Sequence, residues 1–372
     1  MAENDRQSPP PVCPGCGKQV PVAKALGVCG ACIRERPDQY LPPILEGHAR
    51  LRAQFGLQPA PPQTPGGALC DYCPHECRLA DGELGYCMAR DGKGGHVVGG
   101  VSGARVSWYH DPLPTNCVAD WVCPGGTGAG YPEFTHNRGP ETGYANLAVF
   151  YESCNFHCLE CQNHNFREWP HGPRDITPAR VARSINPATS CICFFGGDPV
   201  PNLPHSIKTA RIARRLAGGR ILRVCWETNG SMKPAFLKGM LAIALQSGGL
   251  IKLDLKAWSE PLHIAMTGAS NRRTLDNFAW LAARYDLRDQ YPLLVASTLM
   301  VPGIIDEQEV SAIAGFIASF SVHIPYNLLA FHPDCNLLDL PVTPRDQAKS
   351  LIAAARSAGL QNVRLGNIHL LV

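Results

Sequence analysis

Seventeen cysteines in 372 residues constrain this chain more than any other feature, because eleven of them fall into three tightly spaced sets. The sets are Cys13, Cys16, Cys29 and Cys32; Cys70, Cys73, Cys77 and Cys87; and Cys154, Cys158 and Cys161. A disulfide-dense secreted scaffold is normally far shorter than this, so clustered thiols in a long chain read as metal ligands. The opening MAENDRQSPPPVCPG has no apolar stretch of signal-peptide length, and no run of about 18 apolar residues occurs anywhere. The expectation is a cytoplasmic protein without a membrane span, in a compartment where thiols stay reduced.

The first set is two CxxC pairs, CPGCGK and CGAC, separated by twelve residues. Glycines let the backbone wrap an ion, and four thiolates close a tetrahedral site with no open position, as in a zinc ribbon. Zinc is the expected metal, with a rubredoxin-like iron site as the alternative. The role is folding or docking, since metal binding and folding are one event in so small a module. Lys18, Lys24, Arg34 and Arg36 accompany it with almost no aromatics, so nucleic acid is not the expected partner. The whole chain agrees: 34 Lys plus Arg against 31 Asp plus Glu leave a charge of +3, too little to attract nucleic acid or anionic lipid.

Length and a 45% apolar composition allow two or three folding units. Residues 1–40 read as the zinc-ribbon-like module and 41–69 as a Pro-rich linker in which ILEGHARLRAQFG could form a short helix. Residues 70–143 read as an irregular Cys-rich domain held by metal, and 144–372 as an α/β unit. In the last, short apolar runs alternate with helix-length segments, the pattern of successive βα units and a parallel sheet. The strands are expected at 145–151, 191–195, 220–227, 250–256, 293–301, 326–331 and 362–366. TPARVARSI, IKTARIARRLA, DEQEVSAIAGFIASF and TPRDQAKSLIAAARSAG are expected helices, the first and last opening with an N-capping Thr and Pro at the first helical position. The fold class is therefore α/β, a partial (β/α)6 TIM-type barrel preceded by small Cys-rich metal-stabilised segments. Such a barrel carries its site at the C-terminal ends of its strands.

ESCNFHCLECQN follows the first expected strand at that end, and its Cys154, Cys158 and Cys161 can converge within one loop. Three thiolates can hold three irons of a [4Fe–4S] cluster and leave the fourth iron open. The competing readings are structural zinc completed by Cys191, Cys193, Cys225 or Cys335, and free buried thiols.

On this loop the chain resembles the radical S-adenosylmethionine (SAM) superfamily. FFGGDPV (194–200), WETNG (226–230), IKLDLKAW (251–258), TLMVPGIID (298–306), FHPD (331–334) and AGLQNVRLGN (358–367) occur in the order seen in its pyruvate formate-lyase activating-enzyme branch. The segment CDYCPHECRLADGELGYC further resembles the N-terminal part of the AmmeMemoRadiSam-system radical SAM proteins, extending the resemblance to residues 70–372. It implies a [4Fe–4S] cluster on Cys154, Cys158 and Cys161 and a SAM shell drawn from Gly196, Gly197, Asp198, Glu227, Asn229, Asp254, Lys256 and His332. Asp254 and Lys256 could instead simply pair with each other. Glu160 departs from the usual aromatic before the third cysteine, and Asp198 from the commoner Glu.

The resemblance further implies reductive cleavage of SAM to a 5′-deoxyadenosyl radical, a flavodoxin- or ferredoxin-like electron donor, and a protein or peptide substrate. The second cysteine set could hold zinc or an auxiliary iron–sulfur cluster, with Cys117 and Cys123 completing or replacing ligands. Two other readings stand beside the enzyme: a redox-inactive, zinc-stabilised scaffold on the same fold, which Glu160 favours, and a cobalamin-dependent methyltransferase, for which no nucleotide-binding domain precedes the barrel.

Overall fold

In the computed structural model, which describes residues 11–168 and 171–372, an eight-stranded sheet dominates. Its strands are β1 (Val106–Pro112), β2 (Ala145–Tyr151), β3 (Thr189–Gly196), β4 (Arg223–Thr228), β5 (Ile251–Asp254), β6 (Leu294–Met300), β7 (Tyr326–Ala330) and β8 (Val363–Gly366). They lie side by side in chain order. β2 to β8 are parallel, joined by six helical crossovers, and each lies where the sequence placed a strand. β1 pairs antiparallel with β2 at the edge and was not foreseen. The sheet ends at β8 and β1 without pairing them, so the barrel is partial.

Side chains alternate across each strand with period two. Leu147, Val149 and Tyr151, Ile192 and Phe194, Val224 and Trp226, Ile251 and Leu253, and Tyr326 and Leu328 all join the main apolar core. The opposite face carries Asn146, Cys191, Cys193, Cys225, Glu227, Lys252 and Asp254, which line cavities. The barrel lumen is therefore thiol-rich and partly polar, with a small apolar cluster around Leu250, Tyr291 and Val295, while the other face supplies the main core.

The N-terminal segments are built onto this barrel. The stretch expected as a linker begins inside a helix, Pro37–Gln54, which crosses the expected boundary at residue 40 and contains Pro42 and Pro43. Two internal prolines oppose a helix, but its buried Ile44, His48 and Arg52 bind it to the body. His48 bonds Ala265 O at 2.9 Å and His157 Nδ1 at 2.9 Å, and Arg52 lies 3.4 Å over the Tyr86 ring. The Cys13–Cys32 module docks on the loop after β6. Gly30 N donates to Gly303 O, and a Cβ on Gly30 would meet Ile304 O at 2.6 Å. Arg34 pairs with Asp306 and with Glu309.

Thr177 caps Pro178–Ala182 as expected, accepting from Arg180 N. Thr343 does not cap the last helix, which begins at Arg345. Its hydroxyl accepts from Phe331 N and donates to Met300 O, tying the ends of β6 and β7. No described helix is long and apolar enough to cross a membrane. The opening residues 1–10, part of the reading of the N-terminus, lie outside the described residues.

Candidate functional site

The loop after β2 carries Cys154, Cys158 and Cys161 into one cavity of about 190 Å³ at the C-terminal end of the barrel. Gly196, Gly197, Asp198, Glu227, Asn229, Asp254 and Lys256 line the same space. His332 does not; it is exposed on the loop after β7. Four successive strand ends, β2 to β5, thus converge, as a parallel barrel requires.

The cysteine loop is held on every side. His157 N and Leu159 N donate to Thr267 O and Met266 O, while His75 bonds Asn155 O at 2.6 Å. The Asn155 side chain joins Ser231 and Asn229. Burial raises all three thiols above their ordinary value, so metal binding there must displace protons from neutral groups. Arg167, which sequence reasoning missed, is a buried cation beside them. It donates to Cys158 O at 3.0 Å and Cys335 Sγ at 3.2 Å. Cys335 does not line the cavity. Nothing in the spacing marked Arg167, because a helical turn (His164–Glu168) folds it back onto the loop.

Opposite the thiols, Gly196 has φ +90°, and a Cβ on Gly197 would meet Ser153 O at 2.5 Å and Tyr151 O at 2.6 Å. Only glycine allows this close crossing of strand ends. Asp198 is less free than expected: it accepts from Val200 N at 2.8 Å, Thr228 Oγ1 at 2.8 Å and Asn229 N at 2.7 Å. Burial pushes its carboxyl up to about 7 despite those donors, so it locks two loops together and keeps limited capacity for a ligand. Lys256 donates to Asp254 Oδ2 at 3.1 Å. Glu160, the departure before the third cysteine, is buried with Oε2 unpaired at the cavity wall. A thiol triad on one cavity, a glycine cradle, an ammonium–carboxylate pair and an orphaned carboxylate oxygen suit a cluster with an open position and a zwitterionic, hydroxyl-bearing ligand.

The other cysteine sets separate clearly. Cys13, Cys16, Cys29 and Cys32 place all four Sγ atoms within 4.8 Å of one another, the one such group among the described residues. They can hold a metal ion. Cys70, Cys73, Cys77 and Cys87 face one small cavity that Asn155 also lines, without converging to single-ion spacing. Cys117 and Cys123, expected as further ligands for that set, lie instead in the barrel lumen with Cys191, Cys193 and Cys225.

Residues 148–317 match the Radical SAM superfamily. An uncharacterized protein of Methanocaldococcus jannaschii is 23% identical over 80% of this chain and 81% of its own length. The isethionate sulfite-lyase activating enzyme of Desulfovibrio desulfuricans is 34% identical over 38% of this chain and 41% of that enzyme. The pyruvate formate-lyase 1-activating enzyme of Escherichia coli K12 is 26% identical over 36% of this chain and 54% of that enzyme. The chain thus spans about half or less of the length of these two activating enzymes. The barrel, its strand-end thiol loop and these matches together make residues 148–317 a radical SAM domain, with the [4Fe–4S] cluster and SAM that this domain implies, and the chain an enzyme.

Proposed function

We propose that this protein is an activating-enzyme-like radical SAM enzyme whose substrate is a protein or peptide. The observation that carries the proposal is the single cavity shared by Cys154, Cys158 and Cys161 and seven of the eight residues assigned to a SAM shell. When bound, the cluster supplies one electron that cleaves the SAM sulfonium to methionine and a hydrogen-abstracting 5′-deoxyadenosyl radical. The chain's own residues bind and orient. Gly196 and Gly197 admit the ligand's amino-acid end close to the backbone, Asp254 and Lys256 present opposite charges to it, and Asn229 is fixed by Asp198 and Asn155. Glu160 Oε2 accepts a hydrogen bond from a ligand hydroxyl or amino group, and Arg167 balances thiolate charge. Phe156, Met266, Leu299 and Leu329 line the cavity with apolar surface that limits water. A protein substrate is supported by relatives named as activators of other enzymes. The electron enters from a flavodoxin- or ferredoxin-like donor.

Zinc is the metal proposed for the Cys13 set. Zn–S bonds of about 2.3 Å in a tetrahedron put sulfurs about 3.8 Å apart, and the Cys13–Cys32 and Cys16–Cys29 distances are both 3.8 Å. The looser Cys70 set fits an auxiliary iron–sulfur cluster better than one zinc ion. Its Cys87 borders a small cavity that also touches Cys154, which suits electron relay.

The test is 5′-deoxyadenosine release by anaerobically reconstituted protein given SAM and a reductant. Release that Cys154→Ala, Cys158→Ala or Cys161→Ala abolishes supports the assignment. No release from protein whose cluster is fully assembled, or release that survives all three changes, refutes it. Protein containing zinc and no iron would establish the scaffold reading instead.

A further inference from the structure

Below the SAM site the lumen opens into a second cavity of about 370 Å³, and Glu227 lines both. Five cysteines face it. Cys191 and Cys193 are two apart on β3 and point the same way, and Cys225 stands on β4 in register with Cys193. Cys191 and Cys225 are 4.0 Å apart, sulfur to sulfur, and all five thiols are free. Cys117 and Cys123 come from the strap 113–144, which joins β1 to β2 and crosses the N-terminal end of the barrel. It is held by Asn327 Nδ2 donating to Val118 O at 3.0 Å and by Arg364 paired with Asp120 at 2.7 Å.

The strap brings Cys117 to Lys252 Nζ at 3.0 Å, and Cys193 touches the same ammonium at 3.2 Å. Thus two chain segments distant in sequence present thiols to one point. Lys252 is buried and meets one carboxylate, Glu227 at 3.0 Å. Arg223 also lines the wall, its charge already met by the buried Glu141.

Packing alone does not account for this arrangement. The five thiols pack beside Ala119, Leu250, Tyr291 and Val295, but they also border empty space together with an ammonium, which cysteines enclosed at close-packed density do not. A buried cation among thiols is favoured when the thiols are thiolates, and thiolates are the soft ligands of iron–sulfur and zinc sites. The sulfurs are not gathered to single-ion spacing, as those of Cys13, Cys16, Cys29 and Cys32 are. A sulfide-bridged cluster, which spreads its ligands over several irons, suits the wider wall.

We infer that the lumen floor holds a further iron–sulfur cluster, with thiolate ligands drawn from Cys117, Cys123, Cys191, Cys193 and Cys225. Assembly takes up iron and inorganic sulfide, the thiol protons leaving as iron–sulfur bonds form, and Lys252, beside Cys117 and Cys193, offsets part of the charge left on the sulfurs. The site faces the SAM cavity across Glu227, so a substrate entering between them would meet both. This inference does not depend on what Cys154, Cys158 and Cys161 bind.

The experiment compares iron and acid-labile sulfide per chain, and mass under non-denaturing conditions, for the anaerobically reconstituted full chain and two variants. One is Cys193→Ala with Cys225→Ala in the barrel; the other is Cys117→Ala with Cys123→Ala in the strap. Each is expected to lose one cluster's mass, iron and sulfide, while the SAM-induced change in the paramagnetic resonance spectrum persists. Iron and sulfide equal to wild type in both variants would overturn the inference, as would loss of zinc instead of iron. Should the barrel variant fail to fold, the strap variant and alkylation mapping of wild type decide. The five thiols are expected to be protected before chelation of iron and labelled after it. Equal labelling in both states, or a Cys191–Cys225 disulfide in the reconstituted protein, would refute the cluster.

Discussion

Replacing Arg223 with Met tests whether the strap is anchored by a buried ion pair. Arg223 opens β4 and donates to both oxygens of Glu141, to Phe134 O at 2.7 Å and to Ser190 Oγ at 3.1 Å. Glu141 is fully buried and also accepts from Thr135 Oγ1, His136 N and Ser190 Oγ. Burial alone would raise the Glu141 carboxyl, but the Arg223 guanidinium and these donors bring it down to about 2 from an ordinary value of 4.5. That displacement corresponds to about 3 kcal/mol of stabilisation at neutral pH. Removing one partner of a buried pair typically costs about 3–5 kcal/mol. The three donors left to Glu141 place Arg223→Met near the lower end.

With metal content matched and a urea slope of about 3 kcal/mol per molar, the unfolding midpoint is expected to fall by about 1 M, followed by tryptophan fluorescence under anaerobic conditions. The pH dependence has a definite sign. Because the folded carboxyl lies below its unfolded value, the wild-type advantage is complete above pH 4.5 and is lost as pH falls through about 2. Glu141→Leu with Arg223→Met together should cost less than the sum of the single changes. A loss under about 1 kcal/mol for Arg223→Met, or a deficit that does not shrink in acid, would show that the pair does not hold the strap.

Three further outcomes are expected. Gly197→Ala forces a Cβ against two backbone oxygens and should weaken SAM binding at least tenfold in equilibrium dialysis, whereas Gly315→Ala, with nothing within 4 Å, should leave it unchanged. Arg34→Ala removes the bond between the Cys13 module and Asp306 and Glu309, so limited proteolysis should cut residues 11–36 several-fold faster while SAM binding is kept within twofold. Chelation that removes one zinc per chain should unfold that module alone, read as loss of amide protection in 11–36 with β2–β8 still protected.

The short apolar runs at 191–195, 220–227 and 250–256, recurring between helix-length segments, were enough to place the parallel strands. The spacing of Cys154, Cys158 and Cys161 after the first of them marked the site end of the barrel. The Cys13 set was equally legible, because ligand spacing within a small module is a local property. These features survive reading in one dimension, since a strand's two faces and a loop's thiols lie within a few residues of each other.

What tertiary structure alone decided is where distant segments meet. The prolines at 42 and 43 argued against a helix that packing of Ile44, His48 and Arg52 nevertheless stabilises. The strand before β2 was invisible because an edge strand such as SWYHDP lacks the apolar alternation of a buried one. Arg167 reaches the thiol loop only through a backbone turn, and His332 faces solvent because its loop turns away from the cavity. Most of all, Cys117 and Cys123 were read with their nearest neighbours in sequence. The strap carries them across the barrel to Lys252, since ion pairs with β4 and β8 hold it there, and contacts between residues 82 or more positions apart leave no periodic trace in a sequence.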